Sequence, residues 1–220
     1  MSRDTTGATP YMIGDTMDRI AVFGISRSGK DYTIEGAVKR LAANGQKFTH
    51  VSMIKVVYEF LNGRKLSDMD FEEKKKIMDK VHIEMDSMAL INNIIVDEHY
   101  CFPSYYGGKI IHTGYVDEKL PYTSCYDDEL DMVYEVVFDK NEIRKYSHVF
   151  YIDIDPEVVL DRFRSSEGAK KNDHITLQDV RNWMLFEKYN IQHLCNQYDI
   201  PFDCLKDPNT TSEDLVKKIR

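Results

Sequence analysis

Residues 24–31 read Gly24-Ile25-Ser26-Arg27-Ser28-Gly29-Lys30-Asp31, between the apolar run Ile20-Ala21-Val22-Phe23 and a segment with helical spacing. A buried strand joined to a helix by such a loop leaves few folds open. The glycines let backbone N–H groups turn inward. The helix N-terminus adds a partial positive charge, and Lys30 supplies a full one. Two glycines at this spacing followed by Lys match a phosphate-binding loop, which makes Gly24, Ser26, Arg27, Ser28, Gly29, Lys30, Asp31 and Tyr32 candidates for holding a triphosphate. A plain glycine-rich turn is the alternative, and the strand before and helix after count against it. Position 31 carries Asp where the common pattern has a hydroxyl residue for Mg²⁺. A carboxylate also holds Mg²⁺, directly or through water. Its negative charge must then be offset by the cation, Lys30 and Arg27.

The rest of the chain repeats the strand-then-helix pattern. Apolar runs at 48–53, 93–97, 148–154 and 200–205 predict further strands, and helical periodicity covers 32–43, 70–90, 157–164 and 177–198. Continuous apolar strands alternating with helices predict an α/β fold with a parallel sheet covered on both faces. Residues 1–17 are polar and aperiodic and read as a tail. Residues 18–220 read as one domain. The stretch 102–141 fits least well. It reads as an inserted or acceptor-binding segment at about 100–141, helical from 129 to 138. Its tyrosines either stack on a base or cover the core.

Composition narrows the partners. The formal net charge of −8 disfavours sequence-independent nucleic-acid binding, so an anionic substrate needs a local cationic cluster. No apolar run approaches a membrane span, and no signal-peptide pattern opens the chain. Cys101, Cys125, Cys195 and Cys204 lack metal or disulfide spacing. The expectation is a cytoplasmic protein without a membrane or nucleic-acid partner. The sequence leaves the oligomeric state open, a homo-oligomer included.

Two further clusters carry chemistry. Asp97, Glu98 and His99 follow the predicted third strand, at the edge where open α/β sheets bind ligands. Asp97 is a candidate for Mg²⁺ together with Asp31. Glu98 is read either as an acceptor contact or as a base activating water, which would make the protein a hydrolase. After the fourth strand come Arg162 and Arg164, a short Gly-containing stretch, then Lys170 and Lys171. Cations closing over a transferring phosphoryl group stabilise its charge, so residues 164–173 read as a lid.

On these residues the chain resembles the archaeal-type adenylate kinases within the P-loop nucleoside-monophosphate kinase group. The resemblance runs from about residue 19 to the C-terminus. It rests on the 24–31 loop, Val96-Asp97-x-His99, and Leu160-x-Arg162-x-Arg164 followed by a short lid, Asp173-x-Ile175-Thr176 and a helix. It implies a three-layer P-loop NTPase fold with strand order 2-3-1-4-5. It also implies ATP and Mg²⁺ as cofactors and transfer of the γ-phosphoryl to a nucleoside monophosphate. Lys30, Asp97, Arg162 and Arg164 would be catalytic. The acceptor would lie against Met53, Glu98, His99, Lys170 and Lys171. Other readings are a P-loop hydrolase, a nucleotide-gated switch or a non-catalytic nucleotide-binding module.

Overall fold

The computed structural model describes residues 17–65, 69–104, 133–165 and 175–219. Five strands make the main sheet: β1 (Arg19–Phe23), β2 (Phe48–Ser52), β3 (Asn93–Glu98), β6 (His148–Ile152) and β7 (Phe202–Leu205). All neighbours pair in parallel, in the spatial order β2-β3-β1-β6-β7. Counted within this sheet alone, the order is the expected 2-3-1-4-5. β1, at the centre, is buried along its whole length. That accounts for its apolar run, since both faces are covered.

Helix α1 (Lys30–Ala43) packs on β1, β2 and β3 and against α6 (Thr211–Lys218). On the other face Tyr151 of β6 donates through its hydroxyl to the Met184 carbonyl at 3.0 Å, seating α5 (Leu177–Gln197). Helix α3 (Phe71–Ala89) pairs with α2 (Met53–Leu61), and α4 (Pro156–Ser165) with α5. Local chemistry sets several helix starts. Asp70 with Glu73 caps α3, and Thr176 with Asp179 caps α5, each by a reciprocal capping box. Neither α2 nor α6 was anticipated as a helix.

The segment around residue 100 differs from expectation. Residues 133–136 form a strand, β5 (Val133–Val136), not the helix expected across 129–138. It pairs antiparallel with β4 (Cys101–Ser104), Cys101 facing Val136 and Ser104 facing Val133. Valine and tyrosine favour a pleated surface, which suits a strand here. Residues 105–132 and 166–174, which hold most of the expected 164–173 lid with Lys170 and Lys171, lie outside the described residues, as do the tail residues 1–16. Trp183 is buried and donates its indole N–H to the Cys101 carbonyl at 3.2 Å. No disulfide joins the described cysteines. No helix among the described residues is long and apolar enough to cross a membrane.

Candidate active site

The loop between β1 and α1 is held in a shape that few side chains tolerate. Gly29 has φ 100°, and a Cβ there would stand 2.9 Å from the Arg162 guanidinium. Gly24 has φ 153°, and a Cβ would meet Ser28 Oγ at 2.7 Å and Ile152 at 3.1 Å. Arg27 also has positive φ, at 66°. A turn from Ser28 N–H to the Ile25 carbonyl, 3.2 Å long, closes the loop. Gly24 N–H donates 3.1 Å to Glu187, a fully buried acid on α5 that the backbone N–H groups of Tyr100 and Cys101 also hold. One carboxylate thus ties the base of the 24–31 loop to the β3–β4 turn.

Lys30 is 6% exposed. Its ammonium donates to the Gly24 carbonyl at 2.5 Å and the Ile25 carbonyl at 3.4 Å, and lies 3.1 Å from His99 Nε2. Burial lowers its pKa, while Asp97, Glu187, Asp31 and Glu98 pull it back. Burial, helped by Lys30, holds His99 well below the usual imidazole range. His99 is therefore neutral at pH 7, and its Nε2 accepts from Lys30. Arg162 of α4 reaches the same loop, donating to the carbonyls of Ser28 at 2.7 Å and Arg27 at 3.2 Å.

These groups border an open cleft of about 1190 Å³ at the carboxyl edge of the sheet. Of the residues expected from the sequence, Ser26, Arg27, Ser28, Gly29, Lys30, Asp31, Tyr32, Asp97, His99 and Arg162 line it. Gly24 is buried and does not line it. Ile54 and Tyr58 of α2 form an apolar wall, and Pro208, Asn209 and Thr211 after β7 form another part of the rim. Thr33 and Thr211 join there by a 2.8 Å hydroxyl contact.

Asp97 and Glu98 part company because consecutive strand residues face opposite sides of a sheet. Asp97 is in register with Val22 and Ser52 and turns towards the cleft, where Ser52 Oγ lies 3.4 Å from it. Burial raises the Asp97 pKa. Lys30 opposes this and the neighbouring Asp31 carboxylate adds to it. Asp31 itself is exposed, with its Oδ1 3.7 Å from His50 Nε2.

Three expectations need correction. Glu98 is in register with Phe23, has no exposed surface, and accepts from the Tyr146 hydroxyl. Burial pushes its pKa up to about 8. It therefore neither touches an acceptor in the cleft nor reaches a water to activate. Met53 opens α2 and packs against the core, so the cleft-facing positions are Ile54 and Tyr58 instead. Arg164 is exposed and off the cleft, because helix residues two apart point about 200° away from each other.

Sequence reasoning missed Glu187 and His50. Glu187 had a legible signal: an acid on the stripe Trp183, Met184, Asn190, Ile191 and Leu194, all buried. His50 had none, because its neighbours come from other elements. Among the described residues a second polar cluster lies away from the cleft. There Arg19 pairs with Asp86 at 2.5 Å and Glu142 at 3.2 Å, beneath His82 and Lys145. It is a structural ion-pair network joining α3 to the approach to β6.

No protein-family model matches the chain, and no curated protein matches its sequence. Solved structures do match. The shikimate kinase from Acinetobacter baumannii in complex with shikimate aligns at a TM-score of 0.51 and 12% identity, over 93% of this chain and 91% of that chain. The shikimate kinase from Bacteroides thetaiotaomicron aligns at a TM-score of 0.50 and 12% identity, over 91% of this chain and 97% of that chain. The chain thus has the α/β fold of these two kinases, with the cleft above the 24–31 loop at the carboxyl edge of a five-stranded parallel sheet.

Proposed function

We propose that the chain is an ATP-dependent phosphotransferase that moves the γ-phosphoryl group of ATP to a small acceptor. The observation that carries this reading is convergence. Lys30, Asp97 and Arg162 come from three separate parts of the chain and line one cleft above the phosphate loop. Kinases of the same fold support it.

Phosphoryl transfer asks the protein for positioning and for opposite charge, with little covalent work. The loop amides and Lys30 take the β- and γ-phosphates, whose oxygens are stronger acceptors than the carbonyls Lys30 holds here. Arg162 lies over the loop, placed to meet charge as it develops on the γ-phosphoryl. Asp31 and Asp97 suit a divalent cation such as Mg²⁺, since two neighbouring carboxylates gain by sharing one. That cation, when bound, screens the phosphate oxygens. His99 orients the Lys30 ammonium, and α1 adds its N-terminal dipole.

The acceptor we favour is a nucleoside monophosphate, in a cytoplasmic, adenylate-kinase-like role. Tyr58 and Ile54, both exposed in the cleft, offer a flat apolar wall for a base. The resemblance to archaeal-type adenylate kinases points the same way. Burial of Glu98 weakens the hydrolase reading. The test is ADP formation from ATP and Mg²⁺ across a panel of nucleoside monophosphates and small hydroxyl acids. Acceptor-dependent ADP is expected. Folded, ATP-binding protein that makes none with any acceptor would leave only a nucleotide-binding module.

A further inference from the structure

The cation site implied by Asp31 and Asp97 has a third donor. His50 stands at the middle of β2, and its Nε2 is buried with no hydrogen-bond partner among the described residues. One atom from each of Asp31, His50 and Asp97 lies within 4.8 Å of the other two. Ligands on one ion at bond lengths of about 2.0–2.2 Å stand at most about 4.4 Å apart. A small side-chain rotation therefore brings all three onto a single centre. Asp31 is free to make it, because its side chain is 67% exposed.

Each of the three has its place for a local reason. Asp31 occupies the phosphate-loop position after Lys30. His50 and Ser52 share a face of β2, and Ser52 is in register with Asp97. Strand alternation thus carries the imidazole to the side of Asp31 and Asp97, two acids that line the cleft. Two carboxylates with an imidazole nitrogen that makes no hydrogen bond form a mixed oxygen and nitrogen donor set. Carboxylates alone suit Mg²⁺ and Mn²⁺, whereas an imidazole adds preference for first-row transition ions. Mg²⁺ usually keeps several waters and binds through one or two carboxylates.

We infer that Asp31, His50 and Asp97 form a divalent-cation site with a nitrogen ligand, which binds Mn²⁺-type transition ions in preference to Mg²⁺ without nucleotide. The inference deepens the reading of the cleft as a phosphoryl-transfer site by naming its cation class and a further ligand. His50 brings no charge, so the two carboxylates balance the ion and leave Lys30 and Arg162 for phosphate. Replacing the loop hydroxyl by Asp31 then has a purpose: it lets the chain hold the metal before ATP arrives.

The test is Mn²⁺ binding to the nucleotide-free chain by electron paramagnetic resonance, with Mg²⁺ as competitor. One tight site is expected, with nitrogen coupling from the imidazole, and Mg²⁺ displacing Mn²⁺ only at an excess of roughly tenfold or more. Outer-shell partners already cost about 10–100-fold in metal affinity, so His50→Gln should weaken Mn²⁺ at least that much and abolish the nitrogen coupling. Asp31→Asn, at an exposed helix-start position with little bearing on folding, should weaken it too. Circular dichroism confirms the fold of each variant. No Mn²⁺ binding, equal Mn²⁺ affinity in His50→Gln, or a signal without nitrogen coupling would each overturn the site. ATP binding is measured on the same samples. A chain that holds Mn²⁺ through His50 but never binds ATP keeps the cation site and sinks the phosphotransferase reading instead.

Discussion

On the proposed reading, Lys30 is the residue on which phosphoryl transfer turns. It is buried, yet its only hydrogen-bond partners among the described residues are two loop carbonyls and a neutral histidine. Lys30→Met keeps the stem and removes the charge. Losing a preorganised charge partner should lower kcat/KM for phosphoryl transfer by about 10²–10³-fold with the fold intact. A fall of less than about threefold would move the γ-phosphate contact elsewhere. Glu98 supports a different test. Burial raises its pKa from 4.5 to about 8, so the fold retains a proton that the unfolded chain releases. Its contribution to stability is complete below about 4.5 and is lost as pH rises through about 8. Glu187, raised to about 7 by burial, acts with the same sign. Each group adds a slope of at most about 1.4 kcal/mol per pH unit. Glu98→Gln still accepts from Tyr146 but cannot ionise. Urea unfolding across this range should show a shallower loss of stability with pH in the variant, and an unchanged slope would mean Glu98 is ionised in the fold. From sequence, Asp97 and Glu98 were both placed at the cleft, one for the cation and one for an acceptor or a water. Only the register with Phe23 and Ser52 separates one face from the other.

At the scale of elements, the β4–β5 ribbon couples the cleft to the core. Trp183 holds β4, and the ring of Tyr134 on β5 stacks on Phe186 with centroids 4.7 Å apart and planes 14° apart. His99, at the turn into β4, stands 4.8 Å from the Phe102 ring. Losing the stack and its buried area should cost about 1–3 kcal/mol in Tyr134→Ala, read as a shift of the urea midpoint. A midpoint within error of wild type would mean that the ribbon is not seated on α5. The long helices and the sheet strands were legible because their apolar spacing is long and regular. The ribbon was not, since its two strands are four residues each and pair across a long sequence gap. Helices α2 and α6 were hidden for another reason. The β-branched pair Val56-Val57 weighs against α2, and the first turn of α6 is nearly all polar.

For the whole molecule, the parallel sheet with its fixed strand order brings together groups that the sequence scatters. Lys30, Asp97 and Arg162 span more than half the chain and meet at one sheet edge, where the switch between neighbouring strands opens a crevice. That much followed from the phosphate loop and the strand-end acid. The assignment of Arg162 over Arg164, and of Ile54 and Tyr58 over Met53, needed helix phase in three dimensions. The central claim is transfer of a phosphoryl group, and coupled measurement of ADP and phosphorylated acceptor tests it most directly. With ATP, a divalent cation and the panel of monophosphates and hydroxyl acids, the account predicts equal amounts of ADP and phosphorylated acceptor. Arg162→Ala should lower that yield. Inorganic phosphate released at the same rate with and without every acceptor would contradict the account.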